Sequence, residues 1–252
     1  MKTSIKSLVI GPSGSGKSYF SGGFPKSYIL CTEPDGLTTL EMNPQLIKNV
    51  VKHQYFIPSP VKDVKQVFID LQAACKEAHE LYAKGEIETL VLDNMSYLSE
   101  NRWMYINKYE PEMAKSGELD TRGMYGKLGR WLYEFTLMNL CSFPGNVVVT
   151  SHIKMESDEA MKKKAGDDDI VADILGGFRN QAPGMFSLVL FLDKIRIGDN
   201  KYKYMGRLNL GNGKLAKNRY NLPEVLENIS YQTIVDAIVK AKGEIKKWEI
   251  IS

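Results

Sequence analysis

The run Gly11-Pro-Ser-Gly-Ser-Gly-Lys17-Ser18 matches the pattern G-x-x-x-x-G-K-[ST] in full and carries the most readable chemistry of this chain. Gly11, Gly14 and Gly16 lack a Cβ, so the backbone can curl with its N–H groups turned inward, and a helix opening at Lys17 adds the positive end of its dipole. Phosphate is the group such a loop is built to hold. Lys17 is expected to reach the β- and γ-phosphates of a nucleoside triphosphate, and the Ser18 hydroxyl to complete the coordination of a bridging Mg²⁺. Pro12, Ser13, Ser15 and Tyr19 complete the stretch expected to contact the nucleotide. The structural alternative is a glycine-rich turn that binds nothing. The flanks oppose it: Ser7-Leu-Val-Ile10 reads as a buried strand and Lys17 to Gly22 as a helix start.

In open α/β sheets ligands lie outside the carboxyl ends of the strands, so polar residues just past apolar runs take on weight. Lys26 to Thr32 reads as a second strand delivering Glu33 and Asp35. Thr89-Leu-Val-Leu92 ends in Asp93, the apolar run plus carboxylate that holds the Mg²⁺ shell in nucleotide hydrolases. Asn146 to Thr150 delivers Ser151, His152 and Lys154 to the same edge, where His152 could meet the γ-phosphate or serve only as a satisfied structural polar group. Lys217-Asn-Arg219 places two cations on one face of an extended segment.

Positioning these residues takes a sheet and its covering helices. Val50 to Ile57 reads as a strand, Val61 to Ala83 as a covering helix, and Asn94 to Tyr109 and Thr121 to Leu140 as a helical pair. That pair interleaves Trp103, Tyr105, Tyr109, Tyr125, Trp131 and Tyr133 with Arg102, Lys108, Lys115, Arg122, Lys127 and Arg130. Rings beside cations suit a single nucleic-acid strand, and equally suit an amphipathic pair with buried rings and solvated charges. Met155 to Gln181 shows no sustained period and reads as a loop broken by a short helix, with Lys162 to Lys164 and Asp167 to Asp169 as charged blocks. Ser187 to Leu192 reads as a further buried strand, and Lys194 to Ile197 with Lys201 to Leu210 as an antiparallel hairpin. Ser230 is placed to cap a terminal helix.

The chain has 252 residues and a net charge of +3, too little to argue for nucleic acid or an anionic membrane by composition alone. Cys31, Cys75 and Cys141 stand outside any C-x-x-C spacing, which suits free thiols in a reducing compartment. With no secretory h-region and no membrane-length apolar stretch, a cytoplasmic protein is expected. A single domain over 1–252 is expected, its core at about 6–219 and a helical extension at 220–252.

The order of P-loop, strand-end Glu33, Asp93, strand-end His152, antiparallel hairpin and Lys217-x-Arg219 resembles the RecA-like ATPases, in particular compact phage-type single-strand annealing or recombinase-like members. The resemblance implies an α/β fold: a RecA-like P-loop core with a mostly parallel central sheet flanked by helices, extended by an antiparallel C-terminal hairpin. It implies ATP and Mg²⁺ as ligands, Glu33 as general base on the attacking water, and Lys17, Ser18 and Asp93 as phosphate and metal groups. Lys217 and Arg219 would be fingers entering a neighbouring subunit's site, so a homo-oligomer is implied, in the cytoplasm of a bacterial host if the chain is phage-encoded. Single-stranded DNA is the implied partner, met by the Arg102 to Lys127 and Lys154 to Arg179 regions. Three other readings share the same residues: an ATP-switched annealing module with little turnover, a small-metabolite phosphotransferase, and a helicase-loader-type ATPase.

Overall fold

Apolar runs too continuous for a one-sided sheet dictate the architecture. The computed structural model describes residues 4–156, 169–198, 201–208 and 217–251. Its strands β1 (Lys6–Ile10), β2 (Ser27–Cys31), β4 (Thr89–Asp93) and β5 (Asn146–Ser151) are buried almost throughout, while β3 (Val50–Tyr55) alternates as an edge strand does. All five run parallel, and β8 (Leu188–Gly198) joins β1 in the same direction. Antiparallel β9 (Lys201–Arg207), β10 (Lys217–Asn218) and β11 (Val225–Glu227) extend the sheet, whose path is β11-β9-β8-β1-β5-β4-β2-β3 with β10 on β8. The expected mostly parallel α/β sheet with antiparallel C-terminal strands is what the chain forms.

The pleat sorts side chains between two layers. Leu8, Ile10, Leu90, Leu92, Val147 and Val149 face a core shared with α4 (Val64–Ala83), α5 (Met95–Tyr109), α6 (Thr121–Phe135) and α7 (Phe178–Met185). Val9, Ile29, Val91 and Val148 face the other layer, with α1 (Lys17–Gly22), α2 (Thr38–Glu41), α3 (Pro44–Ile47) and α8 (Tyr231–Ile251). Asp63 starts α4 by accepting from the Lys65 N–H at 2.8 Å, and Asn94 starts α5 by accepting from the Tyr97 N–H at 3.0 Å. At α8, Ser230 Oγ accepts from the Thr233 N–H at 3.2 Å. Ile234 and Ile238 pack in the same core layer as Phe20 and Ile29 of the parallel half, so the C-terminal segment helps bury the sheet.

Several elements depart from the expected pattern. The stretch after β5 read as a loop holds a hairpin of β6 (Ile153–Glu156) with β7 (Asp169–Ala172) before α7. Four-residue strands are too short to show a period, and their partners are distant in sequence. Lys162 to Lys164, Asp167 and Asp168 lie outside the described residues. β8 runs without a break through Asp193, its first half in the core and its second half exposed against β9 alone. The second long helix ends in a π-helical segment, Thr136–Cys141. α2, α3 and β11 are three or four residues long and have no readable sequence signal.

Candidate active site

Strand register brings the chemistry together. Ile10 is paired with Ser151 across β1 and β5, and Cys31 with Asp93 across β2 and β4, so these strands end at one level. Gly11, Thr32, Asn94 and His152 therefore all sit one residue beyond the sheet. A cleft of about 360 Å³ opens there, lined among others by Gly14, Lys17, Ser18, Glu33, His152 and Tyr204.

The loop itself has the conformation only glycine tolerates. Gly16 has φ +90°, and a Cβ at Gly11 would lie 2.6 Å from the Leu192 carbonyl oxygen. No side chain caps α1, so its first-turn N–H groups remain for a ligand at the cleft. Lys17, only 6 % exposed, donates from Nζ to the carbonyl oxygens of Gly11 and Pro12, both at 2.9 Å. Burial pushes its ammonium pKa down, with Asp93 and Glu33 pulling the other way.

Asp93 is fully buried at the end of β4. Its Oδ2 accepts from Ser18 Oγ at 2.9 Å and its Oδ1 from Thr150 Oγ1 at 2.5 Å. Burial raises its pKa against those two hydrogen bonds and the nearby Lys17, the situation of a carboxylate whose charge calls for a cation. A hydroxyl and a carboxylate in contact at a phosphate loop fit a Mg²⁺ ion, which takes few protein ligands and completes its shell with phosphate oxygens and water.

Glu33 lies across the cleft. Asn94 Nδ2 donates to its Oε2 at 2.6 Å, and His152 Nε2 stands 3.5 Å from its Oε1. The His152 contact, followed by the charges of His152 and Lys17 and the Asn94 bond, holds its carboxyl below the usual range against the effect of burial. His152 Nδ1 is 3.4 Å from Lys17 Nζ. Its Nε2 also lies 3.2 Å from Asn94 Nδ2, so His152 stands between Lys17, Asn94 and Glu33. Its backbone is anchored by the N–H, which donates to Ser96 Oγ at 3.0 Å.

Glu33, Lys17, Ser18, Asp93 and His152 converge in this cleft. Lys217 and Arg219 do not: β10 pairs with Val189 and Leu188 near the start of β8, at the opposite end of the strands. Lys217 Nζ donates to the Gly184 carbonyl at 2.5 Å, and Arg219 is exposed. The aromatic and cationic helical pair is divided: Trp103, Tyr105 and Trp131 are partly buried in the helical layer, whereas Tyr109, Tyr125, Tyr133, Lys115, Arg122 and Arg130 are exposed. Arg102 is 8 % exposed and pairs with Glu110 at 2.8 Å, Lys108 pairs with Asp63 at 2.6 Å, and Lys127 with Glu112 at 3.1 Å. Arg102 also lies 4.4 Å from the Tyr105 ring centroid and 5.0 Å from that of Trp131. Trp103, Tyr105 and Trp131 pack against the core because α5 and α6 lie together on the sheet.

Sequence reasoning missed Asn94, Thr150 and Tyr204. Asn94 had a signal, its place directly beyond the Asp93 strand end. Thr150 and Tyr204 had none, since only strand pairing sets them beside Asp93 and Gly16.

No helix among the described residues is long and apolar enough to cross a membrane. No curated protein sequence matches the chain. Among solved structures it is similar to the assembled ATPase EscN of the enteropathogenic E. coli type III secretion system, with 12 % identity, a TM-score of 0.44, and coverage of 75 % of this chain and 43 % of that one. It is also similar to a prototypical type III secretion ATPase of pathogenic bacteria, with 12 % identity, a TM-score of 0.46, and coverage of 75 % and 51 %. The chain spans about half the length of these structures. A family model described as AAA domain matches residues 3–220, which include every residue lining the cleft. The chain belongs to this AAA-domain family of P-loop ATPases.

Proposed function

We propose that Glu33 is the general base of a Mg²⁺-dependent ATP hydrolysis. The observation that carries this reading is the chain of close contacts from Lys17 to His152, at 3.4 Å, and from His152 to Glu33, at 3.5 Å, beside the Ser18–Asp93 pair. Mg²⁺ held at Ser18 and through Asp93 would draw charge from the β- and γ-phosphates. Lys17 holds the phosphates, Glu33 accepts the proton of the attacking water, and Asn94 and His152 fix the carboxylate's orientation. A Glu33→Gln variant keeps the shape of the side chain and loses its basicity. It should bind ATP normally while turnover falls by about 10²- to 10⁴-fold, and unchanged turnover would sink the assignment.

In this reading the ATP cycle serves single-stranded DNA in an oligomer. The support is narrower than the full set of cations first suggested. Arg122, Tyr125, Arg130 and Tyr133 remain exposed along one side of α6, and the last three border a groove of about 450 Å³. Salt-sensitive binding of single strands and faster hydrolysis in their presence are expected, both reduced by Arg130→Ala. Equal rates with and without DNA would remove the partner and leave the ATPase. If Glu33→Gln abolishes turnover and leaves annealing intact, the protein is an ATP-switched module. Arg219, beside the start of β8 and so at the end of the strands away from its own cleft, would complete a neighbour's. Mixing inactive Arg219→Ala and Glu33→Gln chains should then restore part of the activity, and no recovery would exclude action between subunits.

A further inference from the structure

Two tyrosines share the cleft with the phosphate loop and have no part in the chemistry above. Tyr19 follows Ser18 in the first turn of α1 and is 44 % exposed. Tyr204 comes from β9, in the antiparallel half of the sheet, and lays its ring against the loop. A Cβ at Gly16 would lie 2.8 Å from its Cδ1 and Cε1. The two rings are parallel to within 6°, with centroids 6.1 Å apart, and both line the cleft that holds Lys17 and Glu33.

We propose that Tyr19 and Tyr204 form the wall on which the nucleobase stacks, a deduction that rests on the P-loop cleft being the nucleotide site. A triphosphate gripped by the loop leaves its ribose and base to run off the loop's outer side, and the exposed Tyr19 ring with the half-buried Tyr204 ring is the surface there that attracts another flat ring. The parallel pair, its centroid separation within the ordinary range for ring pairs, forms an aromatic ledge in the cleft against which a third ring can be laid. Lys194, from the facing strand, lies 6.0 Å from the Tyr204 centroid and 3.9 Å from that of Tyr202, which braces the hairpin beside the wall. Stacking reads ring area and not the hydrogen-bonding edge. The wall therefore favours purines over pyrimidines and separates adenine from guanine weakly.

Calorimetric titration with Mg²⁺ present, using ATP and inorganic tripolyphosphate, tests this directly because the second ligand has phosphates and no base. Tyr204→Ala should weaken ATP by about fivefold to 150-fold while tripolyphosphate stays within about twofold, and Tyr204→Phe should bind ATP like the wild type. Wild-type affinity should fall from ATP and GTP to CTP. Retained tripolyphosphate binding also certifies that Tyr204→Ala is folded. The wall is refuted if Tyr204→Ala leaves ATP unchanged, or weakens both ligands alike, which would make Tyr204 a prop for Gly16. If the wild type binds neither ligand, the nucleotide site itself falls, and Lys17→Met, expected to lose both, marks that separate failure.

Discussion

Among the described residues, Lys17 and Arg102 are the two cations most withdrawn from water, at 6 % and 8 % exposure, and they do opposite things. Lys17 stands at the carboxyl ends of parallel strands, with backbone carbonyls, His152, Asp93 and Glu33 around it and an open cleft beyond. Arg102 stands between α4, α5 and α6, its guanidinium over Tyr105, Trp131 and Phe68 and its charge answered by Glu110. One is desolvated beside groups that a ligand can replace. The other is sealed by rings that nothing replaces, even at the cost of a buried Nε with no partner. Burial of charge alone is no mark of function. What separates the two is whether the neighbours converge on space.

Giving both cations the same apolar substitution sharpens that contrast. Lys17→Met should cut ATP turnover by about 10²- to 10³-fold, because the phosphate clamp goes, while the thermal midpoint holds or rises with the desolvated ammonium removed. A variant that still hydrolyses ATP would break the comparison at its functional end. Arg102→Met should leave turnover near wild type and shift stability by no more than about 2 kcal/mol, since a flexible apolar chain fills much of the space of the guanidinium stem and the part-exposed Glu110 is left with access to water. Arg102→Ala should cost about 2–4 kcal/mol in urea unfolding through lost packing against the rings. An Arg102→Met variant that folds well and loses DNA-stimulated turnover would move Arg102 from the core to the working surface.

The smallest expected effect lies at the rim of the same helical layer. Asp63 caps α4 and accepts hydrogen bonds from Lys108 first and Tyr109 second, which pull its pKa from 3.8 to about 2. A carboxylate depressed in the folded state stabilises above its unfolded pKa and loses that contribution as pH falls through the folded value. Asp63→Asn keeps a capping oxygen and removes the charge. Its melting temperature should lie slightly below wild type at neutral pH, with the gap closing between about pH 4 and pH 2. A constant gap across that range would assign the effect to geometry and not to charge.

Much of the nucleotide edge was legible because its parts are local. Gly11 to Ser18 is contiguous, and Glu33, Asp93 and His152 each follow an apolar run that has to be a buried strand. The aromatic helices were legible as helices and illegible as surface, because their spacing suits a packed pair and a binding face equally. The loop after β5 hid a hairpin for a related reason: β6 and β7 are short and pair across residues whose sequence carries no period.

Residue identity and chain adjacency alone determined the phosphate loop, the strand ends that carry carboxylates, and the α/β alternation, since each depends on residues within one strand or helix of each other. Tertiary structure decided that Asn94 and His152 hold Glu33, that Thr150 holds Asp93, that Tyr204 reaches Gly16, and that Lys217 and Arg219 stand at the far end of the sheet. Those relations are set by which strands lie side by side and in what register, and register is fixed by the packing of the whole core on both faces of the sheet.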